Sequence, residues 1–199
     1  MTQSVYMPTK KLAIFASGAG TNAARIIDYF ATSQTIEVRL IVCNNPRAGV
    51  LNVALDNNIE VLLIEKEKFF RGNSYLNELK TAGIDFIALA GFFWKIPAQL
   101  ITAYNGRIMN LHPALLPKYG GKGMYGTKVH EAVLDEGESE TGITIHIVDE
   151  HYDNGDVIFQ ARCPVLTGDT PQTLAKRVHD LEYENFAKVI ETTLMNQCM

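Results

Sequence analysis

The pattern of apolar and polar residues along the chain predicts strands and helices in alternation. Short apolar runs predict buried strands, and apolar residues at helical spacing between them predict amphipathic helices. Strands are expected at 11–17, 38–43, 59–64, 84–90, 107–111, 142–148 and 157–163, and helices at 23–30, 47–58, 74–80, 128–135 and 171–195. This order predicts a single-domain, doubly wound α/β fold with a mostly parallel, twisted sheet, helices on both faces and a late antiparallel strand.

Three segments carry local expectations. Residues 65–71 are charged and are predicted to form a loop, and residues 118–126 hold four glycines and are predicted to form a mobile surface segment. Segment 142–148 alternates Ile143, Ile145 and Ile147 with polar residues, which predicts a strand buried on one face only. On this pattern His146 is expected to be a satisfied histidine of the core or of the sheet face.

Length and composition limit the class of protein. The 199 residues suit one domain, at 11–199, after a frayed tail at 1–10 that lacks the apolar segment of a signal peptide. The net charge of −4 disfavours a nucleic-acid partner, and no apolar run nears the ~20 residues of a membrane span. Cys43, Cys163 and Cys198 are scattered and the histidines show no metal-ligand spacing, so we expect a cytoplasmic protein without a metal.

The turn after the first strand is a candidate anion site. It has the sequence Ser-Gly-Ala-Gly-Thr-Asn at 17–22 and leads directly into a predicted helix. Strand, glycine turn and helix together direct backbone N–H groups at an anion. Gly18 and Gly20 allow close approach, and Thr21 or Asn22 is expected to cap the helix.

The same turn fits the looser dinucleotide fingerprint, from Gly18 to Ala23. That fingerprint requires an acidic residue about 20 positions further on, at the end of the second strand. The second strand ends instead in Asn-Asn-Pro at 44–46. The sequence therefore favours a phosphate monoester over a dinucleotide, with a bare tight turn as the alternative.

Asn110 and His112 end the fifth predicted strand. Lying two residues apart on a strand, they point to the same side. Pro113 and Pro117 then fix an extended loop. An amide and an imidazole held rigidly at a strand end are suited to stabilising developing oxyanion charge, although two polar residues that only cap a loop are the alternative.

Two further segments are expected near this strand end. The loop at 149–156 contains four acids without the spacing of a calcium loop, and a carboxylate beside an imidazole raises the pKa of the histidine. The aromatic segment at 92–96 follows the fourth strand and forms either core or a pocket for a flat ring. If all these segments lie beyond strand carboxyl ends, they share one crevice. No serine, cysteine or lysine stands out as a nucleophile, so the residues alone indicate direct group transfer to or from a phosphorylated small molecule.

Four motifs resemble a known family. The sequence Met-Asn-Leu-His-Pro-Ala-Leu-Leu-Pro-Lys-Tyr at 109–119 resembles the Asn-x-His-Pro-Ser-Leu-Leu-Pro signature of the formyltetrahydrofolate-dependent formyltransferases. The segments at 17–22, 89–92 and 148–155 resemble accompanying motifs of the purine-synthesis branch of that family. The match runs in order from about Lys11 to the last helix.

The resemblance implies roles for particular residues. It implies catalysis by Asn110, His112 and Asp153. It implies that a ribotide is bound by Gly20, Thr21, Asn22, His179 and Glu182, where Glu182 would otherwise be an exposed helix charge. It implies a folate pocket formed by Phe93, Trp94, Lys95, Ile96, Asn110, Asp149, Glu150, His151, Tyr152 and Asp153.

The implied reaction is transfer of the formyl group of 10-formyltetrahydrofolate to the amine of glycinamide ribonucleotide. His112, kept protonated by Asp153, and the Asn110 amide are expected to stabilise the oxyanion, while protons move through water near Asp153 to expel the folate nitrogen. No metal, nucleic acid or membrane takes part, and the protein is expected to be a monomer or homodimer.

Alternatives and departures accompany this resemblance. The alternatives are a relative that formylates methionyl-tRNA or a nucleotide sugar, and an inert nucleotide-binding regulator. Segment 118–127 is longer and richer in glycine than expected of the family. The usual arginine of the folate segment is missing from 93–96, and Arg71 does not align with a folate-contacting arginine.

Overall fold

A seven-stranded sheet forms the centre of the molecule, and the computed structural model describes residues 8–196. Cys198 and most of the predicted tail lie outside that range. The elements in chain order are β1 (Lys10–Ala16), α1 (Thr21–Phe30), β2 (Ile36–Cys43), α2 (Val50–Asp56), β3 (Glu60–Leu63), α3 (Lys66–Arg71), α4 (Leu76–Thr81), β4 (Phe86–Leu89), α5 (Ala98–Ala103), β5 (Ile108–His112), α6 (Thr127–Asp135), β6 (Glu140–Ile147), β7 (Val157–Pro164) and α7 (Pro171–Asn196).

The strand order across the sheet is β3-β2-β1-β4-β5-β6-β7. Strands β1 to β5 pair in parallel, whereas β6 is antiparallel to both β5 and β7. The predicted doubly wound, mostly parallel sheet with a late antiparallel strand is therefore confirmed. As a result, the carboxyl ends of β1, β4 and β5 meet at one edge, where open α/β sheets bind ligands.

Helices cover both faces of the sheet and produce two apolar layers. In β1, Leu12, Ile14 and Ala16 pack in the layer beneath α1, α2 and α7, while Ala13 and Phe15 pack on the other side with residues of α3, α4 and α5. A strand buried on both faces is typical of a parallel sheet, and it explains the continuous apolar run that marks β1 in the sequence.

The predicted loop at 65–71 is wrong, because residues Lys66–Arg71 form helix α3. Phe69 is 1% exposed in this short helix and packs against Phe92 and Trp94. Its charged neighbours lie on the solvent side. One buried ring per turn is too weak a signal to identify a helix of six residues from the sequence.

Strand β6 is buried on both faces, so the prediction of a half-buried strand is also wrong. Thr144 is completely buried, and its hydroxyl holds the chain after β5. It donates to the carbonyl of Ala114 at 2.7 Å and accepts from the N–H of Leu116 at 3.0 Å. The loop after β5 thus covers the polar face of β6.

No helix within residues 8–196 is both long and apolar enough to cross a membrane.

Candidate active site

A cavity of about 600 Å³ opens at the sheet edge where β1, β4 and β5 end. Its wall is formed by the turn after β1, the aromatic segment after β4, the end of β5, the glycine-rich segment, the loop after β6 and one side of α7. Every site residue predicted from the sequence borders this cavity except Glu150, which is exposed outside it.

Asn110, His112 and Asp153 meet at the inner wall of the cavity. Nδ1 of His112 lies 3.6 Å from Oδ2 of Asp153, and the Asn110 amide donates to Oδ1 of Asp153 at 3.2 Å. Asp153 also accepts the N–H of Gly121 at 2.9 Å, which connects the glycine-rich segment to the cluster. The three residues expected to act together are therefore within reach of one another.

Asp153 reaches the cluster by a route that the sequence did not indicate. Because β6 is reversed, its carboxyl end at Ile147 lies beside Met109, near the beginning of β5. The expectation that the acidic loop follows a strand at the binding edge is therefore wrong. The loop instead folds back, with Asp153 in a left-handed conformation at φ 50° and its end closed by the bond from Ile147 N–H to Asp156 O.

The pKa of His112 is lowered, which contradicts the expectation that Asp153 keeps it protonated. Burial of the ring lowers the pKa by more than the Asp153 charge and the bond to Tyr119 raise it. Burial by itself raises the pKa of Asp153, but His146, His112 and the N–H of Gly121 bring it below its ordinary value. In this structure a neutral imidazole therefore stands beside an ionised carboxylate.

The tautomers in the cluster follow from the backbone carbonyls. Nε2 of His112 lies 2.7 Å from the carbonyl oxygen of Tyr119, and Nδ1 of His146 lies 2.9 Å from that of Ile147. A carbonyl can only accept, so each of these nitrogens carries a proton. Nε2 of His146 is then an acceptor for the Asn110 amide at 3.1 Å.

His146 is a member of the cluster that sequence reasoning missed. It is buried and hydrogen-bonded, as the alternation of β6 indicated, but its partner is the candidate catalytic amide. Strand β6 pairs with β5 so that His146 lies directly opposite Asn110. Only the antiparallel register of β5 and β6 would have placed His146 beside Asn110, and the pattern of apolar residues does not predict that register.

The turn after β1 borders the cavity where helix α1 begins. Helix α1 begins after Gly20, which has φ 82°, and a Cβ there would lie 2.7 Å from Cα of Val50. No side chain caps α1, so the predicted cap by Thr21 or Asn22 is wrong, and no side chain caps α6 at Thr127 either. The first-turn N–H groups of α1 are thus available to an anion.

Asn22 serves a different purpose from capping. Its amide donates to the carboxylate of Glu182 at 2.7 Å. Glu182 is 5% exposed, and burial raises its pKa, so it is not the exposed helix charge of the alternative prediction. His179, one turn earlier on α7, borders the same part of the cavity and stacks on Tyr183.

The aromatic segment after β4 is divided between core and cavity. Phe92 and Ile96 are buried in the apolar layer, whereas Phe93 is 51% exposed at the cavity mouth and contacts Tyr125. Lys95 lies over the ring of Tyr152 from the loop after β6. The segment therefore contributes both to the core and to the cavity wall, and a flat ring as its ligand stays a prediction.

The two ends of the cavity are joined by the backbone. Ser17 donates its N–H to the carbonyl of Gly91, and its hydroxyl accepts the N–H of Phe93. The anion turn and the aromatic segment are thus held at a fixed separation. Within residues 8–196, no three His, Cys, Asp or Glu side chains are grouped to hold a metal ion.

Comparison with known proteins identifies the class. The profile of the formyl transferase family matches residues 10–190, so the chain belongs to the formyl transferase family. This confirms the resemblance in the sequence motifs.

Particular relatives narrow the class. The chain is 41% identical over 187 residues to the chloroplastic phosphoribosylglycinamide formyltransferase of Arabidopsis thaliana, covering 91% of this chain and 64% of that protein. It is 35% identical over 188 residues to the trifunctional purine biosynthetic protein adenosine-3 of Drosophila melanogaster, covering 91% and 14%. The chain thus spans less than two thirds of the length of these curated relatives.

Solved structures agree with this assignment. The phosphoribosylglycinamide formyltransferase of Bacillus halodurans is similar with a TM-score of 0.85 and 33% identity, covering 93% of this chain and 95% of that one. Glycinamide ribonucleotide transformylase 1 of Geobacillus kaustophilus is similar with a TM-score of 0.83 and 37% identity, covering 92% and 97%.

Proposed function

We propose that the protein transfers the formyl group of 10-formyltetrahydrofolate to the amine of glycinamide ribonucleotide, a step of purine synthesis. The observation that carries the proposal is the single cavity in which an anion turn, an amide–imidazole–carboxylate cluster and an aromatic lip meet. The names of the relatives at 41% and 35% identity support the same reaction. We further infer a cytoplasmic monomer or homodimer, which light scattering and cell fractionation test.

The two substrates enter from opposite ends of the cavity in this proposal. The ribotide phosphate lies against the α1 N–H groups after Gly20, and Glu182 with His179 faces the ribose. The folate ring system lies between the aromatic segment at 93–96 and the loop at 149–153. The two hydrogen bonds that join Ser17, after β1, to Gly91 and Phe93, after β4, keep these two subsites at a constant separation, which favours direct attack of one substrate on the other.

The cluster manages charge and protons between the two substrates. As the amine attacks the formyl carbon, negative charge develops on the formyl oxygen and the amine must lose a proton. His112 is neutral before reaction, so it can accept that proton, and the adjacent Asp153 stabilises the resulting cation. The same proton then passes to the departing nitrogen of the folate.

Asn110 supplies the donor for the developing oxyanion. Its amide hydrogens point at Asp153 and at Nε2 of His146, so its orientation is fixed before substrate binds. The substrate oxygen replaces one of these acceptors. A donor that is already oriented is the arrangement that stabilises a transition state most effectively.

The test mixes the purified protein with 10-formyltetrahydrofolate and glycinamide ribonucleotide and follows deformylated folate by absorbance. Turnover that depends on the ribotide supports the proposal. Turnover without the ribotide indicates a hydrolase instead. Bound ribotide without turnover indicates an inert regulator.

A further inference from the structure

One buried histidine at the cavity has no part in the mechanism above. His130 lies on α6 between the buried residues Val129 and Val133 and is 2% exposed. Its Nδ1 is buried without a hydrogen-bond partner among residues 8–196. A buried polar atom without a partner is costly and calls for an explanation, such as a ligand.

His130 borders the part of the cavity nearest α7. Thr127 of its own helix and Ala175 and His179 of α7 line the wall beside it, and α6 packs against α7. This is the side on which Glu182 holds Asn22, next to the anion turn. His130 therefore borders the end of the cavity where the ribotide is expected.

No carboxylate beside His130 opposes the binding of an anion there. Its pKa is lowered to about 4, mainly by burial and to a smaller extent by the neighbouring His179 and His112. No carboxylate acts on its pKa. Glu182 accepts a hydrogen bond from the Asn22 amide, and Asp153 lies beside His112. Neither carboxylate is therefore a partner for His130.

We propose that the imidazole of His130 contacts the phosphate group of the acceptor ribotide. This inference rests on the proposed function for the identity of the ligand and extends it by one recognition residue. The phosphate supplies a hydrogen-bond partner to a ring whose Nδ1 has none among residues 8–196, and it places a negative charge where no carboxylate acts. The N-terminus of helix α1 would hold the phosphate on one side and His130 on the other. These two contacts fix the position of the phosphate and stabilise its negative charge.

The decisive experiment compares ligands with and without the phosphate. Calorimetry gives the dissociation constants of glycinamide ribonucleotide and of its dephosphorylated riboside for the wild-type protein, His130→Phe and His130→Gln. We expect His130→Phe to weaken ribotide binding about tenfold or more, as loss of one charge-assisted hydrogen bond does, while riboside binding stays unchanged. His130→Gln, which keeps a donor, recovers part of the loss.

Glu131→Gln is the matched control, because Glu131 is the next residue of α6 and is exposed. It removes a charge from the same helix and leaves both dissociation constants unchanged. An equal loss for ribotide and riboside in His130→Phe overturns the proposal, since it reflects altered packing and not a phosphate contact.

A second measurement separates this proposal from the proposed function. Inorganic phosphate is titrated into wild-type protein while the ring carbon-bound protons of His130 are observed by NMR, with sodium chloride at equal ionic strength as the reference. A saturable shift with phosphate alone supports the contact, and the absence of one overturns it. If the wild-type protein binds no ribotide, the proposed function fails, and this titration still decides the role of His130.

Discussion

Asp153 is the residue on which the candidate site converges. It accepts hydrogen bonds from Asn110 and from the N–H of Gly121, and it faces the rings of both His112 and His146. Its lowered pKa shows that these contacts together outweigh the cost of burying its charge. Removing the charge therefore affects the two histidines and the glycine-rich segment at once.

We expect Asp153→Asn to reduce kcat by about 10²–10³-fold, the usual cost of losing one electrostatic stabiliser of a transition state. The amide keeps the size of the side chain, so the protein remains folded. Steady-state kinetics with both substrates measures the effect. Asp156→Asn is the control, since Asp156 lies in the same loop but is exposed. Wild-type activity in Asp153→Asn would falsify the proposed mechanism.

At the residue scale, the sequence predicts which side chains meet but not their charge state. The two-residue spacing of Asn110 and His112 places them on one side of a strand, and this holds in the structure. The pKa of His112 was predicted with the wrong sign because the cost of burial depends on how completely the fold encloses the ring. His146 and His130 were missed as site residues because the spacing of apolar residues predicts which face of a strand or helix is buried but not which residues pack against that face.

The loop after β5 is held by side chains of β6 and β7. Thr144 bonds Ala114 O and Leu116 N–H, and Gln160 donates to both Leu116 O and the Thr144 hydroxyl. These bonds lie just beyond His112, whose Nε2 is held by the carbonyl of Tyr119 further along the same loop. The hydrogen bonds from β6 and β7 therefore fix the loop, and the loop in turn fixes the orientation of the His112 ring.

We expect Thr144→Val to lower the free energy of unfolding by roughly 1–3 kcal/mol, because the substitution leaves buried backbone groups of the loop unpaired. Urea unfolding measures this, and kcat should fall as His112 loses its support. Thr141→Val is a matched control in the same strand. The Thr141 hydroxyl is buried without a partner among residues 8–196, so its removal should be neutral or stabilising. Equal destabilisation by both substitutions would contradict the role given to Thr144.

At the element scale, the sequence predicts strands better than their directions. Continuous apolar runs identify β1, β2 and β4 because parallel strands are buried on both faces. The antiparallel pairing of β6 with β5 brings the acidic loop back over the sheet, and it depends on tertiary contacts that no local pattern contains. Helix α3 was missed for a related reason. Its one buried ring, Phe69, packs against Phe92 and Trp94, and this tertiary contact cannot be predicted from the local sequence.

The molecule as a whole buries three histidines beside the cavity. His112 on β5, His130 on α6 and His146 on β6 are 4%, 2% and 2% exposed. The pKa values of His112 and His130 are lowered by this burial, so both rings are neutral in the folded protein at neutral pH. Protonation of either ring therefore destabilises the folded protein.

This arrangement predicts that stability decreases as the pH falls from about 7 towards 4. In the unfolded chain a histidine has its ordinary pKa near 6.5, whereas His130 has one of about 4 in the folded protein. Between these values the unfolded state binds more protons, so the free energy of unfolding rises with pH, by up to roughly 3 kcal/mol for His130 alone. The lowered pKa of Asp153 acts in a separate window, since its contribution is lost only below the ordinary pKa of an aspartate.

Urea unfolding between pH 7.5 and pH 4.5 measures this dependence. His130→Phe removes one titrating ring, so its free energy of unfolding should fall less steeply with decreasing pH than that of the wild-type protein, whatever its value at neutral pH. His151→Phe, which replaces a histidine whose side chain is 78% exposed, is the matched substitution against which the slope of His130→Phe is compared. Parallel curves for the wild-type protein and His130→Phe would mean that His130 does not resist protonation in the folded protein. Separate curves would show that the enclosure of the cavity by α6 and α7 is itself sensitive to acid, because the same buried ring belongs to the candidate site and to the packing of the two helices.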